Sequence, residues 1–178
     1  FGAQLALTPD SRQSITADVD TSRRDHSGFL MERDALSLQH KGRWGFGNTE
    51  LTFAADEIRN LTGMVSGQIN PNKANTTSLS GKASIPITWG NQFVTAGFDI
   101  REEKLYDPTN LRGQPGSVGY DASAETSISQ WALFAEDEIR ITDRLAVTLG
   151  NRFDHHENFG GHNSPRAYAV YQLSDAVT

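Results

Sequence analysis

Residues 131–171 read WALFAEDEIRITDRLAVTLGNRFDHHENFGGHNSPRAYAVY. A strand closes on Ile139, Arg140 and Ile141, and three turn residues follow, Thr142, Asp143 and Arg144. A second strand returns through Leu145, Ala146, Val147, Thr148 and Leu149 into Gly150-Asn151-Arg152-Phe153-Asp154. After a polar loop, Ser164-Pro165-Arg166 opens a third strand. In the second strand Leu145, Val147, Leu149 and Phe153 alternate with Thr148, Gly150, Arg152 and Asp154. Successive strand side chains point to opposite faces, so such a strand has one apolar face and one charged face.

The same rhythm runs outward in both directions. Ile15, Ala17 and Val19 alternate with Thr16, Asp18 and Asp20, and Leu36 and Leu38 with Ser37, Gln39, Lys41 and Arg43. Leu79, Gly81, Ala83, Ile85 and Ile87 alternate with Ser80, Lys82 and Ser84. No helical stripe competes with this period. Nine strands are expected, near 1–7, 13–23, 34–44, 49–60, 78–88, 93–105, 127–141, 145–156 and 165–173. Two of them carry apolar residues on both faces: 131–139 (Trp131 and Leu133, but also Phe134) and 167–173 (Tyr168 and Val170 beside Tyr171 and Leu173).

The connections are expected to alternate in length. Residues 8–12, 45–48, 89–91 and 142–144 form short turns rich in turn-forming residues, while those near 24–33, 61–77, 106–126 and 157–164 are longer and polar. Short turns at one end and long loops at the other mark a membrane barrel. Trp44, Phe46, Trp89 and Phe93 sit near the short turns, where an interfacial aromatic girdle belongs. Several strands reach ten residues or more, the length a tilted membrane strand needs.

Composition sets outer bounds. Mean hydropathy is -0.50, and no apolar run is long enough for a membrane helix, a result that leaves barrel strands open. A net charge of -6 argues against nucleic acid as a partner. The chain has no cysteine, which removes disulfides and thiolate metal sites. It opens on an alternating strand and stops at what reads as a turn into another, so it is expected to be part of a longer protein.

Gly150-Asn151-Arg152-Phe153-Asp154 followed by Ser164-Pro165-Arg166, together with residues 36–44 and Gly97-Phe98-Asp99, resembles the barrel of TonB-dependent outer-membrane receptors. The likeness is to the ferric catecholate siderophore and colicin receptor group in particular. It implies an all-β fold, an antiparallel up-and-down transmembrane β-barrel segment supplying about nine strands of a ring of about 22. Residues 1–178 are then a partial barrel without the plug domain. The resemblance implies a bacterial outer-membrane location, lipid against one face and a ferric siderophore as ligand. It also implies energy from the TonB–ExbB–ExbD complex through the plug, with colicins or phage as further users of such a receptor. Iron enters only as chelated cargo, and no cofactor is implied. Other TonB-dependent cargo (haem, cobalamin, a sugar) shares the barrel and differs in the loops. A smaller passive porin or adhesion barrel without a plug, and a soluble antiparallel β binding domain, are the remaining alternatives. Nine strands cannot close the ring, so the isolated chain is expected to self-associate through its edges.

Candidate site residues follow from charge and place. Lys41, Arg43, Lys82, Asp99, Arg101, Glu136, Glu138, Arg140, Arg152 and Asp154 are expected on the polar face, as a network of ion pairs lining the lumen. Ferric catecholates are anionic and aromatic, so cations and rings at a loop mouth suit them. Arg23, Arg24 and Arg33 flank the first long loop, and Tyr106, Arg112 and Tyr120 belong to the third. These six are the candidate ligand-binding residues. Asp154-His155-His156-Glu157 suggests a metal site, but adjacent strand residues point to opposite faces, so the two histidines cannot chelate together. No nucleophile motif or paired-carboxylate spacing points to catalysis.

Overall fold

The computed structural model describes residues 1–26, 29–62, 64–65, 68–69, 72–107 and 124–173. Its elements in order are β1 (Gly2–Asp10), β2 (Gln13–His26), β3 (Phe29–Trp44), β4 (Gly47–Asn60), β5 (Met64–Val65) and β6 (Gln68–Ile69). Then follow β7 (Lys73–Ile87), β8 (Gln92–Tyr106), β9 (Glu125–Thr142), β10 (Leu145–His156) and β11 (Gly160–Tyr171). Nine of these form one sheet in the order β1-β2-β3-β4-β7-β8-β9-β10-β11, every neighbouring pair antiparallel. β5 and β6 pair with each other in the connection between β4 and β7. This up-and-down meander is the expected fold. β5 and β6 are its only addition among the described residues, each of two residues and so below what periodicity can show.

Directly paired residues share a face, so the register assigns every side chain. One continuous row runs Leu5, Ala17, Leu38, Phe53, Leu79, Ile100, Trp131, His155, Gly161. A neighbouring row on the other face runs Ser14, Lys41, Glu50, Lys82, Gly97, Phe134, Arg152, Ser164. All ten charged residues expected on the polar face lie there. The two ambiguous strands resolve as well: Trp131 and Leu133 join the apolar face and Phe134 the polar one, while Tyr171 lies apolar and Tyr168 and Val170 polar.

The sheet has no second layer. Among described residues only Ala132 (3% exposed) counts as buried hydrophobic, while Leu5, Leu133 and Leu149 are half exposed or more. At about 25 cal/mol per Å² of apolar surface left in water, a free-standing sheet of this kind is untenable as a soluble domain. Hydrocarbon against the apolar face removes that penalty. The strands run from 9 to 18 residues, and about ten suffice to cross the apolar layer at the usual tilt. The remainder of each long strand projects beyond it.

Aromatic rings bound the apolar band at both ends. At the short-turn end Trp44 stacks on Phe46 (6.4 Å, 6°) and donates from Nε1 to Thr49 Oγ1 at 2.7 Å. At the other end Trp131 packs against Phe153 (5.6 Å) and His155 (5.4 Å, 12°). This second girdle was not visible in sequence, because its members come from two strands. Between the ends, strand glycines sit beneath rings on adjacent strands: Gly81 under Phe98, Gly97 under Phe134, Gly161 under Phe153. A ring over a strand glycine replaces the packing the glycine lacks.

Three strands begin earlier than expected: β3 at Phe29 rather than 34, β7 at Lys73 rather than 78, and β11 at Gly160 rather than 165. Two connections expected to be long loops are therefore short. Residues 24–33 are mostly paired strand, and residues 157–164 reduce to the turn 157–159. Outside the membrane band both faces carry charge, so Arg23, Arg24 and Asp25, or Glu32, Arg33 and Asp34, show no alternation to read. At the opposite end Asp10, the last residue of β1, accepts from the backbone N–H of Arg12 at 2.7 Å. That bond, with the Gln13 amide at 3.2 Å, holds its carboxyl below the usual carboxylate range.

Candidate functional site

The polar face is the candidate site, and its charges are largely arranged in cross-strand pairs. Arg152 on β10 is its best-organised element. Its Nη1 donates across β9 to Asp99 Oδ2 on β8 at 2.7 Å, and its Nε donates to Asp154 Oδ1 at 2.9 Å. The guanidinium lies 5.8 Å from the centroid of the Phe134 ring, which itself covers Gly97. Ala132 is the small residue that lets the arginine reach Asp99, since it lies between Asp99 and Asp154 in the register. Arg166 pairs with Glu136 over Gly150 by the same device. Lys82 pairs with Glu50 at 3.5 Å, Arg101 with Glu103 at 2.7 Å, and Arg33 with Asp56. A shallow depression of about 370 Å³ opens beside Arg152, with Ser78, Ser80, Gln130 and His156 around it.

A wall of this kind is hydrophilic and close to neutral. Ion pairs half open to water add little stability each, of order 0–1 kcal/mol, so their main effect is to fix side-chain positions. The polar face offers donors and acceptors in a regular array. His155 and His156 point to opposite faces, the first against Trp131 and the second onto the polar side. No group of three or more potential metal-ligating side chains occurs among the described residues.

The six candidate ligand residues separate. Arg24 lies on the polar face opposite Met31 and has no ion-pair partner among the described residues. Arg33 lies on the same face and is neutralised by Asp56. Arg23 and Tyr106 fall on the other face, beyond the apolar band: Arg23 pairs with Glu32 at 3.3 Å, and Tyr106 sits between Lys73 and Glu125 in the register. Arg112 and Tyr120 lie outside the described residues. Arg59, not singled out from the sequence, contacts Glu32, Asp34 and Glu57 on that outer surface and marks where the apolar band ends.

Residues 2–178 match a family model described as TonB dependent receptor-like, beta-barrel. The ferric enterobactin receptor of Pseudomonas aeruginosa is 30% identical over 96% of this chain. The probable TonB-dependent siderophore receptor PirA of Acinetobacter baumannii is 30% identical over 95% of it. The chain spans only 26% of the length of either relative. The crystal structure of that Acinetobacter PirA superposes with a TM-score of 0.80 at 25% identity, covering 98% of this chain and 31% of the other. A ferric enterobactin receptor mutant from Pseudomonas aeruginosa in complex with enterobactin superposes with a TM-score of 0.80 at 23% identity, over 98% of this chain and 31% of that one.

Proposed function

Because this chain belongs to the TonB-dependent receptor β-barrel family, we propose that it forms part of the barrel wall of an outer-membrane receptor for ferric catecholate siderophores. The family is one of transport receptors. The observation that carries the reading is the division of a single-layer sheet into one apolar face and one face of paired charges. The apolar face meets outer-membrane lipid. The polar face lines the lumen, where the plug sits, and through the plug the TonB–ExbB–ExbD complex supplies energy. Iron is cargo held by the siderophore, and the protein needs no cofactor of its own. Ligand binding outside shifts the plug toward the state that the energy-transducing complex engages, a coupling between two sites.

Relatives named for enterobactin support the catecholate class. We assign first contact with the anionic ligand to Arg112 and Tyr120, and guidance along the inner wall to Arg24. Arg33 positions Asp56 beside that path. Arg23 and Tyr106, on the outer face, act at the rim.

Binding to the full receptor, followed by quenching of tryptophan fluorescence, tests this. Ferric enterobactin is expected to bind the wild type. Replacing Arg112 and Tyr120 together by alanine is expected to weaken it about 100-fold, the scale of two lost charge-assisted or polar contacts. Haem or cobalamin binding in place of any ferric catecholate would overturn the assignment.

A further inference from the structure

A depression of about 800 Å³ lies at the short-turn end of the polar face, where the β1–β2 and β3–β4 turns meet, a volume within the range of small-molecule sites. The two turns are tied together: the Arg43 N–H donates to the Arg12 carbonyl at 2.8 Å, and Arg43 Nη2 donates to the Ser11 carbonyl. Lys41 and Arg43 stand two residues apart on one face of β3, opposite Ser14 and Asn48. With Arg12 they bring three positive charges to the depression, against the carboxylates of Asp10 and Glu50. Both carboxylates are already engaged. Glu50 pairs with Lys82 at 3.5 Å, and Asp10 accepts from the Arg12 backbone N–H at 2.7 Å and from the Gln13 amide at 3.2 Å. The three cations are not: none forms an ion pair among the described residues, and the carbonyl that holds Arg43 leaves its charge uncompensated. Elsewhere on this face Arg33, Lys82, Arg101, Arg152 and Arg166 each have a carboxylate partner.

We propose that Arg12, Lys41 and Arg43 form an anion-binding subsite at the inner mouth of the barrel, which takes the ferric catecholate as it leaves the lumen. The inference rests on the function proposed above, which makes the short-turn end periplasmic and the cargo anionic, and it adds a place on the cargo's route. Along the middle of the wall each cation is matched by a carboxylate, so an anion gains little by stopping there. At the turn end the unmatched charges sit in a concave surface, which focuses their field. Guanidinium and ammonium N–H groups donate charge-assisted hydrogen bonds to phenolate oxygens. All three side chains are open to water, so the attraction is screened and modest. A weak site of this kind draws cargo forward without trapping it.

The test uses the full receptor carrying Arg12→Gln, Lys41→Gln and Arg43→Gln together. Two quantities are measured: binding of ferric enterobactin by tryptophan quenching, and its uptake by cells as cell-associated iron. Binding is expected to match the wild type, because the outer loops are untouched. Uptake is expected to fall about tenfold, the low end of what a focused charged cleft contributes to a rate. Lys41→Arg, which keeps the charge, should leave uptake unchanged. Wild-type uptake in the triple variant overturns the proposal. So does a gain of sensitivity to vancomycin, a large antibiotic, since it would show that the cluster holds the plug in place and not the cargo. Failure of the underlying reading shows separately, as no binding of ferric enterobactin by the wild type, and this proposal then falls with it.

Discussion

Gly97→Val is expected to destabilise the refolded full receptor by about 2–3 kcal/mol, read as a lower urea midpoint in detergent. A Cβ at Gly97 would lie 2.4 Å from the Gly81 carbonyl oxygen and 2.5 Å from Cζ of Phe134. The first contact is with backbone and can be relieved only by moving β7 against β8. The second can be relieved by turning the Phe134 ring, but that ring supports the Arg152 guanidinium, and Arg152 holds Asp99 and Asp154. The substitution therefore strains a strand pair and loosens an ion-pair cluster at once, where a surface change usually stays within about 0.5 kcal/mol. Phe134→Ala should rescue it only in part, because the carbonyl contact remains. Gly45→Ala is the control, since nothing lies within 4 Å of its Cβ position. An unchanged midpoint for Gly97→Val would show that β7 and β8 are not held as closely as the register implies.

Gly97 also shows what the sequence could and could not disclose. Alternation located all nine sheet strands and both faces, because within the membrane band each face meets a different medium and the side chains must differ. The Arg152 cluster followed only in outline. Arg152 and Asp154 are neighbours on one strand face, but Asp99 is 53 residues away in the chain and reaches Arg152 only through a register that places Ala132 between them. The strand extensions 24–26, 29–33, 73–77 and 160–164 were missed, because beyond the band both faces are polar and period two leaves no hydrophobic trace. The same reason hid the split of the arginines: whether Arg23 or Arg24 faces the lumen depends on a strand continuing through both.

The face assignment makes a second demand, at a residue that breaks it. Asp137 lies on the apolar face, between Val94 on β8 and Leu149 on β10, with Ala135 and Ile139 on either side along β9. Its Oδ1 is inaccessible to solvent and has no hydrogen-bond partner. Nearby, on the same face, Asn151 donates to Asn163 Oδ1 at 2.8 Å, so amide polarity there is at least paired. A carboxylate held against hydrocarbon is costly, though less so than Lys or Arg at the same depth. Asp137→Leu should therefore raise the stability of the receptor refolded in lipid bilayers by about 1–2 kcal/mol, as a higher urea midpoint with an unchanged slope. Asp137→Asn, which removes the charge and keeps the polarity, should recover less. The gain should shrink in detergent, where water reaches the strand surface more easily. A loss of stability in Asp137→Leu would mean that a donor from elsewhere in the closed barrel reaches this carboxylate, and that the apolar face is not bare lipid contact at this point.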